Sequence, residues 1–157
     1  MKSADLDMRQ LTLFNQIITL WLVESMDSQK FYGKYRGKVT DNRDPEGLGR
    51  IRALVPDVIG DEEIGWALPS APYAGDGVGF LFIPPIGANV WIEFEKGNPD
   101  NPIWVGCFWD RGQTPKIPAN PDVKLIKTDS VIITINDVSK SVGINTERIE
   151  IIRRQGN

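Results

Sequence analysis

Residues 79–109, GFLFIPPIGANVWIEFEKGNPDNPIWVGCFW, constrain the fold of this 157-residue chain more than any other stretch. Two alternating apolar patterns flank a turn. From Asn89 to Glu95, Val90, Ile92 and Phe94 fall on one face, with Trp91, Glu93 and Glu95 on the other. From Pro102 to Trp109, Ile103, Val105, Cys107 and Trp109 alternate against Trp104 and Phe108. A period of two means strand, and the connection Lys96-Gly97-Asn98-Pro99-Asp100-Asn101 is made of turn formers. The second strand is apolar on both faces, so protein should cover both of them, one face filling a barrel and the other meeting something else. Gly87 and Gly106 mark a bend or a close backbone approach.

Upstream, residues 31–40 and 48–55 alternate in the same way. Phe31, Tyr35 and Val39 oppose Lys34, Arg36 and Lys38, while Ile51, Ala53 and Val55 oppose Arg50 and Arg52. The polar, Pro/Gly-punctuated turn 41–47 joins them. An acidic loop at 56–63, a short strand near 64–68 and a Gly/Pro/Ala loop from 69 to 78 follow. Five short strands with hairpin turns predict a small closed β-barrel filled by its own side chains, without exposed sheet edges.

The spacing of this block carries a resemblance. Phe82, Ile83, Pro84, Gly87, Val90, Glu93, Phe94, Gly97, Pro99, Pro102 and Gly106 resemble the signature of the OB-fold domain of contractile-tail spike proteins. That family includes phage baseplate assembly protein V, the central spikes of contractile-tailed phages, the type VI valine-glycine-repeat spike and extracellular injection systems. Residues 33–39 and 47–56 are similar to its opening hairpin, and Trp66-Ala67 with the loop after Pro69 to its middle. The matching residues are architectural, and none is catalytic.

Outside the barrel, residues 5–26 predict a helix. Met8, Leu11, Phe14, Ile17, Ile18, Trp21 and Leu22 recur at spacings of three and four, with Asp5 or Asp7 able to cap its start. Leu13, Leu20 and Val23 widen the stripe. So apolar a helix must dock, on its own barrel, on a neighbouring subunit or on a larger partner. Beyond Trp109, Gly112, Pro115, Pro118 and Pro121 indicate an extended linker. Short β patterns follow at 123–127, 131–136, 142–146 and 148–153, too small to bury a core alone. The expected organisation is therefore an N-terminal helix (1–30), an OB-fold barrel (31–112), a linker (113–122) and C-terminal strands (123–157). The resemblance implies that these strands start a short trimeric β-prism or β-helix, with Val131, Ile133, Ile135, Val142, Ile144, Ile149 and Ile151 turned inward.

Chemistry is sparse. The chain has no histidine and one cysteine, which excludes an intrachain disulfide and a Cys/His metal site. The histidine-ligated iron of some spike tips is therefore not carried over. Cys107, mid-strand in an apolar run, is expected to be a small buried hydrophobe. Glu93 and Glu95 share a strand face roughly 7 Å apart, a separation at which paired carboxylates serve glycosidases, although a solvated face explains them more simply. No activated nucleophile or phosphate-binding glycine motif is present, and no cofactor is expected. Lys34, Arg36, Lys38, Arg50 and Arg52 form a basic face on which an OB fold can hold a single strand, but only Tyr32 offers a stacking ring there, and a net charge of -3 argues against nucleic acid. Leu11 to Val23 is too short and too polar to span a bilayer, and no signal-peptide pattern precedes it, so synthesis and folding in the cytoplasm are expected.

The resemblance implies a structural, non-enzymatic homotrimer in the baseplate of a phage tail or phage-tail-like particle, with an extracellular working state where that particle is released. Its partners would be hub and tube proteins, a PAAR-like spike-tip protein and a delivered effector, with the target-cell membrane touched only during puncture. Leu11, Phe14, Ile18, Trp21, Trp104 and Phe108 join the tail residues as interface candidates. Two other classes stay open: a single-stranded nucleic-acid binder, and a cell-wall carbohydrate-processing enzyme acting through Glu93 and Glu95.

Overall fold

The computed structural model describes residues 11–19, 29–115 and 120–150, which fall in two compact units, Met1–Phe108 and Trp109–Asn157. In the first unit residues 11–19 are helical (α1), and every one of them is exposed. The remainder of the expected 5–26 helix, Trp21 included, lies outside the described residues.

The unit is otherwise mainly β. It contains β1 (Tyr35–Asp41), β2 (Arg52–Leu54), a four-residue helix α2 (Pro56–Ile59), β3 (Leu68–Pro69), a hairpin of β4 (Ala74–Gly75) and β5 (Val78–Gly79), β6 (Asn89–Phe94) and β7 (Pro102–Phe108). Five strands make one sheet in the order β2-β1-β6-β7-β3. The chain just before β2 meets the chain just before β3, where Ile51 and Ala67 exchange backbone hydrogen bonds of 3.2 and 2.8 Å. The sheet thus curls its first edge round toward its last, as an OB-like domain requires.

Alternation explains the filling. Val90 and Ile92 are fully buried and Phe94 nearly so, with Val39, Ile51, Ala53, Val55, Ile64 and Ala67 completing the core. Phe31, Tyr35 and Phe94 close one end as a ring cluster with centroids 5.6–6.1 Å apart. Gly37, on β1, faces this core so closely that a Cβ would sit 3.1 Å from Ile92 Cγ1 and 3.3 Å from Val90 Cγ2.

Three details depart from simple pattern reading. The acidic loop holds α2, because Pro56 opens a helical turn and Asp57 sits in that first turn. The loop at 69–78 contains the β4–β5 hairpin, turned by Asp76-Gly77 with Gly77 at φ +67°, a dipeptide suited to tight hairpins. Most consequential, β7 does not alternate throughout. Trp91 opposes Gly106 but Ile92 opposes Trp104, so Val105 is an extra residue, a β-bulge at which Gly106 takes φ +146°. The bulge reverses facing along the strand: Trp104 joins the core, whereas Phe108, opposite Asn89, lies on the outer face.

The second unit holds a three-stranded antiparallel meander, β8 (Val123–Lys127), β9 (Ile132–Asn136) and β10 (Ser141–Asn145), with β9 in the middle. Lys124, near the start of β8, and Asp137, just after β9, form an ion pair at the end of the sheet where β9 turns into β10. Residues 148–150 are not in a strand, and 151–153 lie outside the described residues.

Because Ile92 is central and fully buried, Ile92→Ala should destabilise the barrel by about 2–5 kcal/mol. Chemical denaturation followed by tryptophan fluorescence reads this directly, and a loss well under 1 kcal/mol would mean that the site collapses around the gap.

Candidate assembly interfaces

The charged residues of the barrel form a lattice of local pairs rather than one open basic face. Asp44, at the tip of the β1–β2 connection, accepts backbone hydrogen bonds from Glu46 (3.0 Å), Leu48 (2.8 Å) and Arg50 (3.3 Å). It also accepts from Arg50 Nε (3.0 Å) and Nη2 (2.6 Å). Its side chain is 3% exposed and that of Arg50 14%. The Arg50 guanidinium holds the Asp44 carboxyl well below the ordinary carboxylate value, aided by the three N–H donors, while Asp44 raises the Arg50 pKa. Arg50 also reaches Glu46 (3.0 Å) and lies over the Trp66 ring at 5.7 Å. Arg52 pairs with Glu63 at 2.9 Å and Lys34 with Glu93 at 2.7 Å. Three of the five residues expected to form a basic strand face are thus neutralised within the chain. Glu93, expected as half of a carboxylate pair, is the partner of Lys34, and Glu95 begins the 3-10 turn Glu95–Gly97.

The outer face of the sheet carries a pair of rings of which strict alternation reveals only Trp91. Trp91 and Phe108 lie 4.6 Å apart between centroids, and the Arg36 guanidinium covers both, at 5.3 and 4.9 Å. Tyr32 is therefore not the sole aromatic on that side. The cross-strand pairing of Arg36 with Trp91 is the signal that could have shown it. Trp104 and Phe108 are both half-buried by their own chain, on opposite faces of the sheet. The Trp104 indole N–H donates to the Gly49 carbonyl at 3.2 Å. Cys107 is exposed rather than buried, since it lies near the strand end where the sheet no longer covers it. Partial burial still raises its thiol pKa, which makes it a poor nucleophile.

Among the described residues, two apolar surfaces of the sheets and loops are left uncovered. The first is the arm after β3, where Tyr73, Val78, Phe80, Leu81, Phe82 and Ile86 are all more than half exposed. Its base is fixed: Asn42 Nδ2 donates to the Pro84 carbonyl at 3.0 Å and Gly87 N–H to the Val39 carbonyl at 2.8 Å. The apolar run Phe80 to Ile83 is its mark in the sequence. The second is one face of the tail meander. The register Ile126–Ile133–Ile144 and Lys124–Ile135–Val142 places five aliphatic residues side by side. Ile126, Ile135, Val142 and Ile144 are 46–68% exposed. Ile133, Ile135, Val142 and Ile144 of the expected inward set are thereby brought together. Val131 sits half-buried at the turn before β9, Ile149 is exposed outside any strand, and Ile151 lies outside the described residues. On α1, Leu11, Phe14 and Ile18 are exposed.

Residues 35–109, the curled sheet and its arm, match the Type VI secretion system/phage-baseplate injector OB domain. The match takes in 75 of the chain's 157 residues, from β1 to the end of β7. The chain is also similar, at 30% identity over 70 residues, to the Type VI secretion system spike protein VgrG4b of Pseudomonas aeruginosa, an alignment covering 43% of this chain and 9% of that protein. It is 34% identical over 67 residues to the actin cross-linking toxin VgrG1 of Vibrio cholerae serotype O1, covering 41% of this chain and 6% of that protein. The chain thus matches less than a tenth of the length of either relative. Among the described residues of the first unit and the tail, no group of three or more His, Cys, Asp or Glu side chains is placed to hold a metal ion, and no helix is long and apolar enough to cross a membrane.

The Asp44–Arg50 pair gives the barrel a specific acid sensitivity. A carboxyl whose folded pKa is depressed stabilises the fold fully above its ordinary value, 3.8, and loses that contribution as pH falls toward the folded value. Asp44→Asn should therefore lower the thermal midpoint at neutral pH. The gap to the parent protein should hold down to roughly pH 4 and narrow below it. Thermal unfolding by circular dichroism across pH checks this; a gap that widens on acidification would contradict the sign.

Proposed function

We propose that this protein is a non-enzymatic, trimeric spike or hub component of the baseplate of a contractile injection machine, joining the tube and hub to a membrane-piercing tip. The observation that carries the reading is the bare aliphatic face of the tail meander. A three-stranded sheet with five aliphatic residues on one face cannot be stable with that face in water, and each large side chain buried contributes about 1.5–3 kcal/mol. Three copies packing Ile133, Ile135, Val142 and Ile144 around a common axis would bury these faces in a short β-prism, with closed symmetry limiting growth. Val131, Ile149 and Ile151 would extend the same apolar lining.

In this reading the barrels form a collar, their arms meeting neighbouring subunits, and Leu11, Phe14, Ile18 and Trp21 of the N-terminal helix dock on a neighbouring copy or on the hub. Trp104 and Phe108 are supporting contacts, being half-covered already. The expected partners are hub and tube proteins, a PAAR-like tip protein and a delivered effector, with only transient membrane contact at puncture. Similarity to the injector OB domain and to a protein named as a spike supports the structural role. The toxin named in the second relative resides in a protein of which the shared segment is only 6%.

The test is oligomeric state. The intact chain should sediment as a trimer at micromolar concentration. Ile135→Asp combined with Val142→Asp should shift it toward monomer while the β-sheet signal of the barrel is kept, because a charge buried without a partner is strongly unfavourable. A parent chain that stays monomeric, or a trimer indifferent to both charges, would sink the proposal.

A further inference from the structure

The outer face of the barrel sheet carries two cations with no acidic partner among the described residues, Arg36 and Lys38, both exposed. Their neighbours Lys34, Arg50 and Arg52 are all paired. In cross-strand register Arg36 stands beside Trp91, and Lys38 beside Asn89, which in turn opposes Phe108. The Arg36 guanidinium is laid over the Trp91 and Phe108 rings at 5.3 and 4.9 Å. This geometry removes much of its rotamer freedom in advance. The planar face is spent on the rings, and the N–H edge, which binds a carboxylate with two parallel hydrogen bonds, is left without a carboxylate. An ordered guanidinium beside a flexible ammonium, on a half-buried aromatic floor, is a receptor for a carboxylate-bearing protein segment.

The same chain offers such a segment. Asp57, Asp61 and Glu62, on α2 and the turn after it, are exposed and have no cationic partner among the described residues, whereas Glu63 is taken by Arg52. This turn is held at the β2 side of the sheet, since Glu63 bridges to Leu54. Two complementary patches on different parts of one chain, neither satisfied within it, suit a head-to-tail contact. Such contacts close into rings when the rotation allows. We infer that Arg36 and Lys38, on the Trp91–Phe108 floor, receive the acidic turn at residues 57–62 of a second copy. The inference rests on the trimeric reading above and names the contact that orders neighbouring barrels. A phosphate backbone suits the platform less well: it would meet only this pair of free cations on a sheet whose margin is acidic, in a chain of net charge -3.

Charge exchange tests it. In the full chain, R36E/K38E and, separately, D61K/E62K should each raise the trimer dissociation constant at least ~10-fold at low salt and flatten its salt dependence. All four changes in one chain should restore the constant to within roughly threefold of the parent, because the pairs are re-formed with reversed sign. All these positions are exposed, and circular dichroism verifies that each variant is folded. The two single-sided variants probe the contact independently, so misfolding of one leaves the other decisive. If the parent is a trimer and either folded single-sided variant leaves its constant unchanged, or if the fourfold exchange fails to recover it, this contact is wrong and the trimeric reading stands. If the parent is monomeric at every concentration, both fall. If a fluorescent oligonucleotide of about 20 nucleotides binds the parent with steep salt dependence and R36E/K38E abolishes that binding alone, the platform is a nucleic-acid site and the inference is overturned.

Discussion

The pairing of β6 with both of its neighbours carries the rest of the barrel. This one strand hydrogen-bonds to β1 on one side and β7 on the other, and its inward residues Val90, Ile92 and Phe94 lie at the centre of the core. Everything else is arranged relative to it. Gly37 lets β1 approach Ile92, and the Val105 bulge re-aims β7 so that Trp104 seals the interior and hydrogen-bonds Gly49. The Asp44–Arg50 pair then holds the β1–β2 connection to Trp66 on the next segment. A small barrel has little apolar surface to spare, so these short-range restraints decide which loops reach the surface already shaped.

Much of this was legible in the residues. Period-two patterning at Val90, Ile92 and Phe94 placed the central strand, its facing and the turn after it. The same reasoning placed Ile51, Ala53 and Val55 in the core, and the first three tail strands emerge within a residue of their expected limits, whereas the fourth, expected at 148–153, is no strand over its described residues 148–150. Legibility ends where a single extra residue changes facing. Nothing in PIWVGCF distinguishes an unbroken strand from one bulged at Val105, apart from Gly106. Strict alternation therefore grouped Trp104 with Phe108 and hid the Trp91–Phe108 pair on the outer face. Exposure of Cys107 was missed because it depends on how far neighbouring strands extend, a non-local property. The pairing of Arg50 and Arg52 with acids was missed for a related reason, since Asp44 and Glu63 reach them through loops whose shape a linear pattern does not state.

The candidate surfaces were legible in part. An apolar residue set was foreseen in the tail, and register alone shows that Ile133, Ile135, Val142 and Ile144 share one face. The first part of the arm was read as a loop at 69–78, and of its Phe80-Leu81-Phe82-Ile83 run only Phe82 and Ile83 were singled out, as part of the resemblance, although the run is more apolar than a solvated connection sustains. The fold makes it conspicuous, because its base is pinned at Pro84 and Gly87 while its side chains are left bare. That combination suits a segment shaped before its partner arrives, which lowers the ordering cost of docking.

The tail meander has one more consequence. Its outer strands, β8 and β10, each leave a row of backbone donors and acceptors unpaired within the sheet. On β8 that margin is guarded by Lys124 and Lys127, whereas β10 reads SVGIN and carries no charge at all. A newly made chain thus meets two competing ways to satisfy the same strand: closure with a fixed number of sisters, or open-ended stacking of strand upon strand. The first is self-limiting and the second is not. The balance between them is a matter of kinetics, set by how quickly sister chains meet during synthesis, and β10 is the strand on which that race would be decided.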